Sequence, residues 1–287
     1  MSYTPYRAHA VLNFSQGHIL ILDFFLLPWR QRGLIGSLTR REVEARYRGS
    51  FLGFGWSVLL PLMSIGIYSF VFGTLVQARW QVPSSAPGDY SFAMLLFGPF
   101  IAYTIFAESI GRAPTLILDN TPYVKKVVFP LEVLCWVTLY SALFNAAVAF
   151  LVFIGLFIVL YGLPSVTILL LPFAVLPIAL ISLAALFFLS SIGVFLRDIR
   201  QIVPLLTTAF LFLSPVFFPL EAIPEAYRPL MYLNPLTLAV GHIRDVIFWG
   251  TVPPLGEWAL YALLCLSAAV LGYLWFMRTK KAFADVL

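Results

Sequence analysis

The sequence predicts an all-α, polytopic membrane protein: six transmembrane helices, an N-terminal interfacial amphipathic helix, and re-entrant helices before the last span. Three observations carry that expectation. Of 287 residues, 61% are hydrophobic and 11% charged, against about 25% charge in soluble domains, so a water-facing surface cannot be built. Apolar stretches near the roughly 20 residues needed to cross a bilayer recur along the chain, whose mean hydropathy is +0.94. Finally, the basic segment Arg40 to Ser50 runs straight into the apolar residues Phe51 to Pro61, a boundary at which Lys and Arg are held by anionic headgroups.

Taken in order, residues 1–18 are polar and mixed and show no cleavable signal, and the apolar run from Ile19 to Pro28 carries Asp23. That run is too short to span and reads as an interfacial or re-entrant piece. Thr39-x-x-Glu42 matches a capping box, predicting a helix that starts near Arg40 and ends toward Gly49. Residues 1–53 thus form a cytoplasmic N-terminal segment with an interfacial helix, and 54–287 form one transmembrane domain. Spans are expected at about 54–77, 90–111, 131–160, 172–196, 202–220 and 257–277. The fifth is interrupted by Pro204 and Pro215, which membrane helices tolerate when neighbours satisfy the freed backbone groups. Between the last two spans, 221–256 mixes Tyr232, Phe248 and Trp249 with His242, Arg244 and Asp245. This composition fits short helices in, or dipping back through, the outer interface.

Charge fixes the topology. With a cytoplasmic N-terminus, all of the 18 Lys and Arg except Arg79, Arg228 and Arg244 fall inside. The positive-inside bias therefore puts both termini in the cytoplasm. The same bias accounts for the net charge of +5 without nucleic-acid binding. Cys135 and Cys265 sit in apolar runs and read as small core residues, without disulfide or metal roles.

Catalytic and nucleotide motifs are missing: the sequence has no G-x-x-x-x-G-K-[ST], G-x-S-x-G or H-E-x-x-H, and no metal-spaced Cys/His cluster. His9, His18 and His242 are far apart. Glu108 is the one acid well inside a predicted span, four residues before Arg112. The spacing allows an i,i+4 pair, and a single acid offers no proton relay, so energy is expected from another subunit. Two basic loops are candidates to receive it. In Asp119 to Pro130, Asp119 or Asn120 can cap a short helix with Pro122 in its first turn. Tyr123, Val124, Val127 and Val128 then share that helix with Lys125 and Lys126, before Phe129. The alternative is a loop that only sets topology. The other, Leu196 to Arg200 with Arg197 and Asp198, is long enough only to cap helix ends or touch a neighbour. Arg40, Arg41, Arg46 and Arg48, with Tyr47 among them, can guide a phosphate-bearing substrate or rest on lipid phosphates. Among the aromatics, 16% of residues, Tyr68, Phe70 and Phe72 of the first span and Phe210, Phe212, Phe217 and Phe218 of the fifth can line a conduit. Sugar C–H faces slide on such rings.

Several of these pieces, in this order, resemble the membrane subunit of type-2 ATP-binding-cassette exporters, in the branch that moves O-antigen, capsular and teichoic-acid polymers. They are Arg46-Tyr47-Arg48-Gly49-Ser50-Phe51-Leu52-Gly53 with Trp56 and Pro61, Val124-Lys125-Lys126-Val127-Val128-Phe129-Pro130-Leu131-Glu132, Arg197-Asp198, Ser214-Pro215-Val216 and Leu233-Asn234-Pro235-Leu236. Tyr123 departs from the aliphatic residue usual in that loop. The resemblance implies a homodimer in the bacterial inner membrane, docked on two ATPase subunits that carry the ATP and Mg, with no cofactor on this chain. It makes the Lys125–Lys126 loop the coupling helix, residues around 30–50 the cytoplasmic entrance for a lipid-linked polysaccharide, and 221–249 the outer closure. By resemblance O-antigen is favoured among the polymers. Two rivals stand beside it. A smaller-lipid or drug exporter would often carry a large external domain where this chain has only 77–90. A membrane-embedded glycosyl- or acyltransferase would use a pair such as His242 and Asp245.

Overall fold

The computed structural model describes residues 14–76, 80, 88–125 and 129–287. Its apolar runs are helices, because a helix satisfies its backbone N–H and C=O groups internally where lipid offers none. In chain order these are α1 (Phe14–Arg30), α2 (Arg32–Tyr47), α3 (Trp56–Tyr68, continued by a π-helical segment Ser69–Leu75), α4 (Phe92–Arg112), α5 (Leu116–Asp119) and α6 (Thr121–Lys125). Then follow α7 (Glu132–Tyr161), α8 (Leu171–Phe195), α9 (Ile199–Phe212), α10 (Arg228–Tyr232) and α11 (Leu236–Arg244, continued by a π-helical segment Asp245–Trp249). The last two are α12 (Leu255–Thr279) and α13 (Phe283–Val286). No strand occurs among the described residues.

Among the described residues, five helical stretches are long and apolar enough to cross a membrane: Gly53–Leu75, Phe92–Asp119, Glu132–Tyr161, Val166–Phe195 and Leu255–Val286. They match five of the predicted spans, and the protein is a polytopic α-helical membrane protein. The predicted fifth span, 202–220, is met by a shorter apolar helix. Its helix α9 has 14 residues, about 21 Å at 1.5 Å per residue, against a hydrocarbon core of about 30 Å. Pro215 biases Ser214 away from helical geometry, and side chains take over the freed carbonyls. Asn234 Nδ2 donates to Phe210 O at 3.2 Å, and Ser214 Oγ donates to the same oxygen.

The expected capping box is corrected. Helix α2 begins at Arg32 and passes through Thr39, whose Oγ1 is buried with no hydrogen-bond partner among the described residues. The helix extends upstream because Leu34, Ile35 and Leu38 continue its apolar face, packing with Leu27 of α1 on Val133, Trp136 and Val137 of α7. Its predicted end holds: Gly49 follows at φ +80°, where a residue with Cβ is strained. The Ile19–Pro28 run lies within α1. Phe24 is buried against Trp136 and Tyr273, with ring centroids 5.7 and 5.6 Å apart, while Leu22, Phe25, Leu26 and Trp29 remain exposed.

The bundle is built around α4. Of its apolar window 78% is buried, against 6% for the first span, so α4 is the centre of the chain and α3 its margin. Helices α8 and α12 approach closely at Gly272, where a Cβ would stand 2.8 Å from the Ala184 carbonyl oxygen. Phe187 packs on Tyr273 and Phe276 beside that contact. Helix α11 is wedged between α4 and α8, with Leu236, Ala239, Val240 and Ile243 fully buried.

Candidate functional site

The basic end of the bundle gathers α2, the end of α4, α5, α6 and the start of α7. Here α2 is tied to the core by ion pairs rather than by packing alone. Arg46 pairs with Glu108 of α4, and Arg112, one turn further, pairs with Glu42. Arg112 also lies 3.9 Å from Glu108, so the predicted i,i+4 couple exists inside a larger network. Asn145 of α7 donates to Glu108 at 3.2 Å, and the Tyr47 hydroxyl donates to Asn145 Oδ1 at 3.5 Å. These groups are only about one-fifth to one-third exposed, so water screens them less than an open surface pair. Burial works to lower the pKa of Arg46, but the hydrogen bond and charge of Glu108 outweigh it and hold the guanidinium above its ordinary value. Burial pushes the Tyr47 phenol up, against the opposing effect of Arg46.

Beside this network lies an open cavity of about 1150 Å³. Helix α2 contributes Arg32, Arg40, Arg41 and Tyr47 to its lining, α7 contributes Tyr140 and Phe144, and the segment after α2 adds Arg48 and Phe54. Arg40 also pairs with Glu44 at 2.7 Å, but both are largely exposed, and such a pair contributes little to stability. Four arginines and a set of rings are thus presented together: the guanidiniums match phosphate oxygens, and the rings match apolar sugar or lipid surfaces. Arg46 is not among them and faces the ion network.

From Arg112 the chain continues through a tight turn at 113–115 into α5 and α6. Pro122 lies in the first turn of α6. Asn120 donates from Nδ2 to Leu116 O at 2.8 Å, closing α5 rather than capping α6 with its side chain. Tyr123 stacks on Phe129, ring centroids 4.6 Å apart and planes at 20°. That contact spans the loop and gives the aromatic residue at 123 a structural role. Tyr123, Val124 and Phe129 pack on the core, while Pro122 and Lys125 are exposed. Lys126 lies outside the described residues. Arg197 and Asp198 are exposed in the turn between α8 and α9. That turn follows Gly193, which meets the Pro114 backbone so closely that a Cβ would fall 2.1 Å from its oxygen.

Of the conduit candidates, four come together. Tyr68 and Phe72 of the first span are 6.3 Å apart, and Phe72 is 6.1 Å from Phe217, which stacks on Phe212 at 5.6 Å. Phe210 instead points at Phe106 of α4, 5.3 Å away. Phe218 is partly buried and makes no ring contact among the described residues.

Two residues not singled out as sites hold the far half together. Arg244 is buried. It donates from Nη1 to Pro215 O at 2.5 Å and from Nη2 to Val216 O at 2.7 Å, and its guanidinium stands 4.2 Å over the Trp80 ring. Asn234 donates to Ser214 Oγ at 2.9 Å and accepts from Leu236 N at 2.9 Å. The Ser214-Pro215-Val216 and Asn234-Pro235 motifs are therefore one hydrogen-bonded unit, 20 residues apart in sequence. The available signal was a charged side chain inside the apolar run Leu238 to Ile247, since an arginine buried there needs acceptors. His242 is buried, with Nε2 3.5 Å from a Glu257 carboxylate oxygen, and its ring packs edge-on to Tyr261 at 6.4 Å.

A helical membrane bundle with an exposed short helix at its basic end, and a charged and aromatic cavity beside it, defines a membrane transport component. The family model described as ABC-2 type transporter matches residues 33–248, and the chain belongs to that family. It is 31% identical over 268 residues to the O-antigen export system permease protein RfbA of Myxococcus xanthus, covering 90% of this chain and 96% of that one. It is 26% identical to a protein of the same name from Klebsiella pneumoniae, over 88% and 95% of the two chains. It is 23% identical to the polysialic acid transport protein KpsM of Escherichia coli, over 77% and 84%.

Proposed function

We propose that this chain is the membrane subunit of an ATP-driven exporter of lipid-linked polysaccharide, with O-antigen as the favoured polymer. The observation that carries the reading is its similarity to O-antigen permeases over nine-tenths of its length, at a level that includes both the α2 cavity and the α6 loop. In this reading the basic end is cytoplasmic, both termini with it, and the chain works as a homodimer in the bacterial inner membrane. Lys125 and its loop engage two ATPase subunits, which bind ATP and Mg. The α2 arginines receive the phosphate that joins lipid to glycan, and the rings from Tyr68 to Phe217 give the sugars a surface to slide on. ATP acts only through its differential affinity for two states of the assembly. In this reading 221–249, which holds α10 and α11, closes the outer side.

The test is affinity purification of the tagged chain in mild detergent, with mass spectrometry of its companions. A P-loop ATPase recovered in stoichiometric amount, and lost when Lys125 and Lys126 become Glu, is the expected result. Recovery of the chain alone would overturn the proposal.

A further inference from the structure

The segment after α12 returns to the loop that carries α6. Lys280 Nζ lies 2.6 Å from Glu132 Oε2, with the carboxylate side chain only 9% exposed. Glu132 opens α7, so it stands where the α6 loop re-enters the bundle. Three residues beyond Lys280, Phe283 is fully buried. Its ring sits 6.0 Å from Phe195 at the end of α8 and 5.5 Å from Phe276 of α12. That anchor lays α13 against both α6 and α8, and Leu287 packs on the same core as Tyr123, Val124 and Phe129.

We propose that 280–287 is a clamp that positions the coupling loop, with Glu132, Lys280 and Phe283 as its positioning residues. The inference rests on the reading of the α6 loop as the contact for an ATPase. A five-residue helix has too few internal bonds to hold its own orientation, and a lever works only if its fulcrum is fixed. The loop is held at two points. The Lys280–Glu132 pair fixes its exit, and α13, seated by Phe283, braces its flank. Because the pair is charge-assisted and poorly solvated, removing either partner leaves a buried charge uncompensated.

The experiment has two arms on the full chain in membranes. In the first, Lys125→Cys is labelled with a membrane-impermeant maleimide in inverted vesicles, where the buried Cys135 and Cys265 give little background. Glu132→Lys or Lys280→Glu alone is expected to change the labelling rate by about tenfold, the factor of one lost charge-assisted contact. The double reversal should return it to within about threefold, the shortfall reflecting the preference of a helix N-terminus for an acid. Phe283→Ala should change the rate in the same sense as the single reversals. In the second arm, ATP turnover and polymer export are measured on the complex with the ATPase that copurifies. The single reversals should keep the ATPase bound yet lose export, and the double reversal should regain it. A double reversal no closer to wild type than the worse single, or wild-type labelling in Phe283→Ala, would overturn the clamp. Absence of any copurifying ATPase would refute the function proposed above and leave the labelling arm to decide the clamp.

Discussion

Gly193→Ala is the sharpest perturbation of the basic end. A Cβ at this position would lie 2.1 Å from the Pro114 carbonyl oxygen and 2.8 Å from its carbonyl carbon and Cα, where real Cβ contacts essentially never fall below 3.0 Å. The end of α8 or the 113–115 turn must therefore retreat by about 0.9 Å, the difference of those two figures, and neither side is a pliable side chain. Overpacking costs about 1–3 kcal/mol, and backbone against backbone puts this case near about 3 kcal/mol. Melting temperature falls by roughly 2–4 °C per kcal/mol in a chain of this class, so a loss on the order of 6–12 °C is expected. The assay is thermal loss of the monodisperse peak of the tagged protein in detergent. Gly155→Ala in α7 is the matched control, since its Cβ meets nothing within 4 Å and alanine is the better helix former by about 0.8–1 kcal/mol. If both variants melt with wild type, α8 does not meet the 113–115 turn as described.

The ion network and the buried Arg244 give further tests. Glu108→Gln should cost about 1–2 kcal/mol, below the 3–5 kcal/mol of a fully buried broken pair because its partners are partly solvated. In that background Arg46→Gln should add little, a non-additivity read by a double-mutant cycle on melting. Arg244→Met leaves the Pro215 and Val216 carbonyls without their donor and should cost about 2–5 kcal/mol. Arg244→Lys should recover only part of this, because an ammonium cannot reproduce the fork. Phe72→Ala and Phe217→Ala should slow polymer export in cells while leaving the recovery of any partner ATPase unchanged. An export rate equal to wild type in both would remove these rings from the path.

The spans that could be read from sequence were those whose apolar length alone determined them, such as Glu132–Tyr161 and Leu255–Thr279. The end of the fifth span's helix was not legible, because 202–220 is apolar in composition while that helix stops at Phe212 and Asn234 and Arg244 satisfy the carbonyls there from further along the chain. The site was legible where it was local. Pro122 in the first turn of α6 followed from helix chemistry within a few residues. Glu108 was recognised, but only with the neighbour four residues away. Its stronger partner, Arg46, is 62 residues distant, and Glu42 meets Arg112 across 70. No periodicity carries such pairings. Tyr123 stood out as a departure, and its stacking on Phe129 shows the physical reason for the ring.

The junction of Asn234 and Arg244 with the end of α9 bears on how the chain is made. The chain just beyond this 14-residue helix leaves the ribosome with carbonyls at 215 and 216 whose donor, Arg244, lies 29 and 28 residues downstream. Until residue 244 has been synthesised, that stretch must keep its carbonyls in water or in the insertion machinery, since lipid offers them no donor. Insertion of α9 is therefore completed together with α10 and α11 rather than before them.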